Sequence, residues 1–430
     1  MSDRLNLAMF TALGVGMVIS GNYFGWNLGL EKAGFWSYVA MYVPVVVMYW
    51  FFSLAYAELA CAIPKAGGGF EYALKAFGPK AAFLCGFFQI VEFILAAPAI
   101  ALGMSYYLHH FFPFISSTAW AVSLYVLFSG INVIGIRFSA TVELLVTLLA
   151  LLGLLFFYGY SFREGISVQN FQPLEVKPLE SLASAPFIIW FFLAIEGLGN
   201  LAEDVQHPER NILRGFSLAL TILSLCSLLT LTCAVGLAGN HEVVYFPGRT
   251  EPSDSPLLNV AAHRKVPSAL AGIFTVFGLI GLSASFNGIL LASAKLLCNF
   301  AGQGFAPAFL CREHPQSGVP RAALLVNSTI GLLCVILARS EDMITLSALG
   351  ALGLYILSMT AFMGLRIKAP TLSRPFRFKG GIPAAVFVIM MSLIVVVGLA
   401  YHYREHIFVI LLAGLASGSA FYLYPRKNKK

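Results

Sequence analysis

The sequence predicts an all-α membrane protein of twelve transmembrane helices, arranged as a five-plus-five inverted repeat with broken helices 1 and 6. The chain of 430 residues is 59% hydrophobic and only 11% charged, which leaves too few polar side chains to cover a soluble globule. Its charges fall in short clusters between apolar runs, each long enough to cross about 30 Å of hydrocarbon. Two of these runs also contain helix-weakening residues near their middle.

The uncharged runs give the helices in chain order. They lie near residues 8–30, 34–57, 81–112, 118–136, 139–162, 183–206, 215–239, 266–297, 322–338, 343–365, 382–401 and 407–425. The first run lacks the short apolar core and cleavage site of a secretory signal, so we expect it to remain as a membrane helix. Within a single domain, residues 8–162 form the first predicted repeat and 183–365 the second. Two additional helices (382–425) and a basic tail (426–430) follow.

Lysine and arginine residues predict the orientation, because they are enriched in cytoplasmic loops. A cytoplasmic N-terminus puts eighteen of them inside and eight outside, with Lys295 within a span. We therefore expect a multi-pass protein of a bacterial inner membrane, with both termini in the cytoplasm. The net charge of +7 follows from this asymmetry and gives no reason to expect a nucleic-acid partner. The basic tail is predicted to rest on anionic lipid headgroups.

The first span contains an unusual cluster of small and polar residues. Gly14 and Gly16 precede Ser20, Gly21 and Asn22, which lie near the middle of the bilayer. A break there would release main-chain groups that lipid cannot satisfy, which is tolerated only where they line a protein-walled cavity. The sequence therefore predicts a functional break at residues 20–22. The alternative is that these glycines only allow neighbouring helices to approach closely.

The sixth span repeats the pattern. Glu196, Gly197, Gly199 and Asn200 give it a predicted break near its middle, before the chain becomes polar at Glu203 and Asp204. Two interrupted helices five spans apart are typical of inverted-repeat transporters, which bind their substrate between the half-helices.

Four ionisable residues fall within or at the edge of spans, where a charge costs at least about 2.5 to 3.5 kcal/mol. Glu196 borders the second break and Glu92 lies in the third span, so both are candidate substrate ligands. Each is alternatively a protonated carboxyl that bonds a neighbouring helix. We interpret Glu143 as a residue that reaches towards the cytoplasmic surface or pairs with Arg137, and Lys295 as one that extends inward in the same way.

The predicted substrate site combines both breaks with these acids. Asn287 joins it from the eighth span, although it alternatively bonds helix to helix. The set comprises Ser20, Gly21, Asn22, Tyr23, Glu92, Glu196, Gly197, Gly199, Asn200 and Asn287. The seven cysteines have no metal-ligand spacing, and we interpret them as packing residues. No catalytic residues, metal or cofactor are predicted.

The chain resembles the amino acid-polyamine-organocation (APC) superfamily over nearly all its length. Residues 58–72 (ELACAIPKAGGGFEY) are similar to that superfamily's signature after the second helix, and residues 202–211 (AEDVQHPERN) to its stretch after the sixth. Residues 18–30, 90–100 and 188–197 resemble the ethanolamine permeases more closely. Lys295 and residues 301–307 depart from the family pattern. The resemblance therefore does not predict the contacts of the cytoplasmic gate.

The resemblance implies a secondary transporter, with ethanolamine placed before an amino acid as substrate. Protonated ethanolamine requires acids, carbonyls and aromatic faces, whereas an amino acid also brings a carboxylate, which a helix N-terminus near Gly21 to Tyr23 would bind. Coupling to a proton on Glu196 or Glu92 and exchange of one solute for another both stay open. A non-transporting nutrient receptor is the less favoured alternative. An enzyme is not expected, because diagnostic nucleophile, phosphate-binding and metal motifs are missing from the sequence.

Overall fold

The computed structural model describes residues 4–65, 67–134, 140–312, 314 and 318–402, which form a helical bundle without strands. The predicted twelfth helix, the basic tail and Arg137 lie outside these residues. The α-helices are Leu7–Val18 (α1), Ser20–Tyr23 (α2), Asn27–Ala62 (α3), Gly69–Phe77 (α4), Pro79–Phe111 (α5), Ser117–Ile134 (α6), Ala140–Glu164 (α7), Pro178–Ile189 (α8), Pro208–Ala238 (α9), Asn240–Val244 (α10), Pro256–His263 (α11), Ser268–Gly302 (α12), Arg321–Leu337 (α13), Ser340–Lys368 (α14) and Gly381–His402 (α15). Tight 3₁₀ turns occupy Val168–Phe171, Ile195–Asp204 and Ala308–Cys311.

Eight helices of the described residues are long and apolar enough to cross a membrane. They are α3, α5, α6, α7, α9, α12, α14 and α15, and the shorter apolar helices α1, α8 and α13 accompany them. Their outward faces are rich in exposed leucines, for example Leu145, Leu152 and Leu155 on α7. Such a surface is stable in hydrocarbon and unfavourable in water. The all-α membrane class predicted from composition is therefore confirmed.

Small residues bring the central helices together. A Cβ placed on Gly350 of α14 would lie 2.7 Å from the main-chain nitrogen of Glu92 in α5, and one on Gly353 would lie 2.5 Å from the Phe88 ring. Lipid gives little driving force for helix association, so close backbone packing is a main source of stability. This packing fixes the depth and rotation of the helix segment that carries Glu92.

Helix α3 contains two differently directed segments. Gly34 has φ 67° and ψ 172°, which divides residues 27–33 from residues 35–62. The positive φ is inexpensive for glycine alone. Residues 27–33 therefore continue the predicted first span, and residues 35–62 form the predicted second one.

A buried ion cluster ties α3, α14 and the segment after α14 at one end of the bundle. Glu58 is 1% exposed and accepts hydrogen bonds from Arg366 Nε at 3.1 Å and from the main-chain amide of Phe378 at 2.7 Å. Arg374 Nε lies 3.2 Å from Glu58 Oε1. We call Glu58, Arg366, Arg374 and Phe378 the Glu58 clasp. Its carboxylate belongs to the 58–72 signature, so that signature begins with a structural contact.

Candidate functional site

The first helix is broken, but further along the chain than predicted. Ser20–Tyr23 remains one helical turn, because the amides of Asn22 and Phe24 donate to Ile19 O (2.9 Å) and Ser20 O (3.1 Å). The break falls at Phe24, Gly25 and Trp26, where Phe24 is extended and Gly25 has φ 84°. The prediction of a break centred on residues 20–22 was therefore wrong in position. Gly25 is the residue that supplies the left-handed turn.

The second break precedes the predicted glycines. Helix α8 ends at Ile189, residues 190–194 form turns, and Ala194 adopts the left-handed region with φ 75°. Glu196 and Gly197 instead lie in the first turn of the 3₁₀ segment Ile195–Asp204. The hydroxyl of Tyr49 donates to the carbonyl of Ile189 at 3.3 Å, which satisfies one group freed by the end of the helix.

The two interrupted segments contact each other. A Cβ placed on Gly21 would lie 2.4 Å from the carbonyl oxygen of Trp190 and 2.9 Å from Phe191 Cα. Trp26 stacks on Phe191 with ring centroids 5.8 Å apart, and Phe24 meets Trp190 edge-on at 5.4 Å. The helical turn before the first break therefore packs on the main chain of the second break, and aromatic rings of the two breaks contact each other.

Glu92 and Glu196 face each other beside these breaks. Both side chains are fully buried, and the two carboxyls lie within hydrogen-bonding reach of each other. Tyr355 donates its hydroxyl to Glu196 Oε2 at 3.3 Å and lies 3.0 Å from the hydroxyl of Tyr49. Among the described residues, no hydroxyl or amide donates to Oε1 of Glu196 or to either oxygen of Glu92 with full hydrogen-bonding geometry, although the main-chain amide of Ala194 lies close to Glu92. We call Glu92 and Glu196 the acid pair.

Neighbouring helices set the position of the acid pair. Ser347 of α14 donates to the main-chain oxygen of Glu92 at 2.7 Å, and Gly350 lies against the same peptide. Glu196 is placed by the left-handed turn at Ala194, which starts a new helical direction. Two buried carboxylates repel strongly, so the pair needs a shared proton or a bound cation.

Acids are the only fully buried charged side chains of the described residues: Glu58, Glu92, Glu143, Glu196 and Asp254. Glu58 has its arginines in the clasp. Within the described part of the chain, no lysine or arginine is buried near the acid pair. The acid pair is therefore suited to a cation. No buried lysine or arginine of the described residues is placed there to bind an anionic group.

The other residues predicted at the first break have structural partners. Thr230 donates to Asn22 Oδ1 at 3.2 Å, and the hydroxyl of Tyr23 donates to Ala150 O at 2.5 Å. The main-chain amide of Ser20 donates to Ser285 Oγ at 3.2 Å. These contacts hold the turn before the break in place, and the Nδ2 atom of Asn22 is left without a partner among the described residues.

Three more predicted residues contact neighbouring helices. Asn287 accepts a hydrogen bond from Asn132 at 2.9 Å, which supports the helix-to-helix alternative. A Cβ placed on Gly68 would lie 2.6 Å from Asn200 Oδ1. A Cβ placed on Gly199 would lie 2.5 Å from the Tyr56 ring. Gly199 and Asn200 therefore pack against the end of α3 and the start of α4. Gly197 lies nearer the site, with Met17 and Phe93 as neighbours.

The side chain of Glu143 does not reach the surface, as one of its two predicted alternatives required, and the predicted pairing with Arg137 lies outside the described residues. The Glu143 side chain is 6% exposed and faces α1, where a Cβ placed on Gly16 would lie 2.7 Å from Glu143 Oε1. The glycine provides room for the carboxyl, so this residue is buried between helices. Lys295, in contrast, lies on the exposed surface of α12.

Tyr49, Tyr355 and Ser347 were not predicted. They come from α3 and α14 and reach the acid pair only through tertiary packing. The chain contains 17 tyrosines, and no local pattern distinguishes these two. Three peripheral cavities of about 420, 180 and 230 Å³ are not lined by any predicted site residue. The described residues contain no cluster of histidine, cysteine and acidic residues suited to a metal.

Membrane-length helices, two adjoining breaks and a buried acid pair define a multi-pass membrane protein with an interior polar site. The amino acid permease family model matches residues 8–413. The chain belongs to the amino acid permease family.

Characterised relatives agree with this assignment. The chain is 24% identical to the branched-chain amino acid permease BcaP of Bacillus subtilis, covering 98% of this chain and 92% of the relative. It is also 24% identical to the human cystine/glutamate transporter, covering 88% and 77%. A manganese transporter from Eremococcus coleocola has a similar fold, with a TM-score of 0.61 at 13% identity, covering 97% of this chain and 93% of the other.

Proposed function

We propose that this permease is a secondary active transporter that imports a small amine-bearing solute by alternating access, and that ethanolamine is its substrate. The acid pair is the observation that carries the proposal. Three of its carboxyl oxygens receive no well-aligned hydrogen bond from a hydroxyl or amide donor among the described residues, and they are acceptors in a fully buried setting. An ammonium group provides three donors and the positive charge that such a pair lacks.

The surroundings favour a cation without a carboxylate. Ethanolamine carries an ammonium and a hydroxyl, and the linked hydroxyls of Tyr49 and Tyr355 lie beside Glu196 to bond a neutral polar group. The nearby rings of Phe24, Trp190 and Phe191 offer faces to a cation. A carboxylate placed against the acid pair would meet repulsion.

Amino acids are the second candidate, because the named relatives transport them. The start of the outer half-helix at Asn27 would attract a substrate carboxylate through the partial positive charge of a helix N-terminus. In this mode the acid pair still takes the ammonium, and the two functional groups of the substrate lie on different sides of the breaks.

The five-plus-five inverted repeat belongs to the same proposal. The breaks near Gly25 and Ala194 lie in the first and sixth predicted spans, and alternating access would move the half-helices around the site between them. We keep the bacterial inner membrane and cytoplasmic termini as part of the proposal. A proton shared by the acid pair is the coupling ion that best fits two adjacent carboxyls.

Uptake into proteoliposomes tests the substrate. We expect labelled ethanolamine to accumulate, unlabelled ethanolamine to abolish the signal, and excess alanine, leucine or serine to leave most of it. If labelled amino acids accumulate and ethanolamine neither accumulates nor competes, the amino acid candidate replaces ethanolamine. Binding of either solute without flux would identify a receptor and contradict transport.

A further inference from the structure

The end of α12 folds back on itself through a complete helix-termination motif. The amide of Phe305 donates to Phe300 O at 3.0 Å, and that of Gly304 donates to Ala301 O at 3.0 Å. Gly304 has φ 79°, and the rings of Phe300 and Phe305 lie 5.3 Å apart. These are the two hydrogen bonds, the left-handed glycine and the apolar contact of a Schellman motif. Residues 301–307, which depart from the family pattern, therefore form a specific return turn.

The return turn brings two cysteines together. After Pro307, the 3₁₀ turn Ala308–Cys311 runs back along the last turns of α12. The thiol of Cys298 donates to Cys311 Sγ at an Sγ to Sγ distance of 3.2 Å. No disulfide bond joins these two cysteines in the structure. Their separation requires only a small movement to reach the 2.05 Å of a disulfide bond.

One of the two thiols is accessible. Cys298 is buried, whereas Cys311 is partly exposed and lines a cavity of about 230 Å³. The same cavity is lined by Gly67, Phe70 and Glu71 of the 58–72 signature and by Gly302 and Gln303 of the return turn. A small oxidant that enters this cavity therefore meets Cys311 first, with the Cys298 thiol already beside it.

From this geometry we infer that Cys298 and Cys311 form an oxidisable dithiol, a modification site distinct from the substrate site. A hydroperoxide oxidises the Cys311 thiolate to a sulfenic acid, with release of the reduced peroxide as water or an alcohol. The Cys298 thiolate then attacks the Cys311 sulfur, the S–S bond forms and hydroxide leaves as water after taking up a proton. Each disulfide consumes two thiols and one peroxide.

A disulfide would lock the return turn against α12. The turn already packs its phenylalanines against Phe70 and Phe83, so both the signature segment and α5 would be held with it. Thioredoxin-type dithiols restore the reduced pair by exchange through a mixed disulfide.

Peptide mass analysis of the full-length protein in detergent tests this inference without any variant. Trypsin releases residues 296–312 as one peptide that contains both cysteines. After treatment with hydrogen peroxide and alkylation, we expect this peptide to be unalkylated and lighter by two hydrogen atoms than the reduced peptide, and dithiothreitol to reverse the change. Phenylarsine oxide, which bridges adjacent thiols, should protect the same peptide from oxidation.

Single-cysteine variants provide the control. Cys298→Ser should convert the product to a sulfenic acid on Cys311 that dimedone traps, and Cys311→Ser should leave Cys298 reduced. Cys334, another partly exposed cysteine on α13, is the matched control, and Cys334→Ser should leave disulfide formation unchanged. The inference is wrong if both cysteines of the wild-type peptide are still alkylated after peroxide treatment. It is also wrong if Cys298 and Cys311 are oxidised to no greater extent than Cys334.

Discussion

Gly21 lies directly against the carbonyl oxygen of Trp190, so closely that a Cβ on Gly21 would lie 2.4 Å from this oxygen. Through this contact the first broken helix rests on the main chain of the second. The acid pair lies beside the same junction. Any residue larger than glycine at position 21 must displace one of the two interrupted segments. The atom that it would meet is a main-chain oxygen, which cannot move aside by a change of side-chain rotamer.

Replacement of Gly21 should therefore abolish transport. We expect Gly21→Ala to lower ethanolamine uptake at least about tenfold, because overpacking of this kind costs about 1 to 3 kcal/mol and shifts the site. Gly159→Ala on α7 is the matched control, since a Cβ there would meet no atom within 4 Å. Initial uptake rates in proteoliposomes measure both. Equal rates for the two variants would show that the junction is not required.

Tyr355 should contribute to substrate affinity. Tyr355→Phe removes the hydroxyl that donates to Glu196 Oε2 at 3.3 Å and lies 3.0 Å from the hydroxyl of Tyr49. A hydrogen bond to a charged group contributes about 1.5 to 3 kcal/mol, so the substrate concentration for half-maximal uptake should rise about tenfold or more. Tyr160→Phe, in the peripheral cavity of about 420 Å³ that Leu152 and Leu155 also line, should leave this concentration unchanged. An unaltered half-maximal concentration in Tyr355→Phe would remove this hydroxyl from the site.

The Glu58 clasp should be a stability element. Glu58→Gln leaves Arg366 and Arg374, which are 12% and 9% exposed, without their shared countercharge. Breaking a buried ion pair costs about 3 to 5 kcal/mol, so the midpoint of thermal unfolding in detergent should fall by several degrees. Glu180→Gln is the control, because its pair with Lys177 is exposed. If the two substitutions lower the midpoint equally, the clasp does not stabilise the bundle.

Asp254 should make stability depend on pH. It lies in the segment between α10 and α11, and burial raises its pKa from 3.8 to about 6, although the hydrogen bond donated by Ser340 at 2.6 Å acts in the opposite direction. A carboxyl with a raised pKa contributes stability below its unfolded pKa and loses it as the pH rises through the folded pKa. The difference corresponds to about 3 kcal/mol.

Unfolding midpoints between pH 4 and pH 7.5 check this prediction. We expect the wild-type midpoint to decrease over this window and that of Asp254→Asn to decrease less. Glu251→Gln, in the exposed part of the same segment, should retain the wild-type profile. Identical profiles for wild type and Asp254→Asn would contradict it.

Composition and periodicity were sufficient to predict the helical membrane fold, because each helix needs a long apolar run. Helices α5, α12 and α14 begin and end close to the predicted boundaries. The short helices α4, α10 and α11 were missed, because they lie in polar connections where local pattern is weak. The assignment to the amino acid permease family confirms the superfamily resemblance. The predictions of ethanolamine and of twelve helices remain predictions.

Glu92 and Glu196 could be selected from the sequence because a charge in a membrane span is expensive and needs a reason. The positions of the breaks were not predictable to the residue. Gly21 and Gly25 have the same local signal, and both lie against Trp190 in the folded chain. Only the tertiary structure shows that Gly21 stays within a helical turn whereas Gly25 adopts the left-handed conformation. The hydrogen bond from Asn132 to Asn287 favours the helix-to-helix alternative, and it could not be predicted because the two residues lie on different helices.

The acid pair is the central claim, and transport by its amide variants tests it most directly. Glu196→Gln and Glu92→Gln keep the size of each side chain and remove its charge, and Glu180→Gln removes an exposed acid as control. With equal amounts of protein in proteoliposomes, we expect each acid-pair variant to lower labelled ethanolamine uptake at least about tenfold, while Glu180→Gln stays at the wild-type rate. Wild-type uptake by both acid-pair variants would show that the ammonium binds elsewhere.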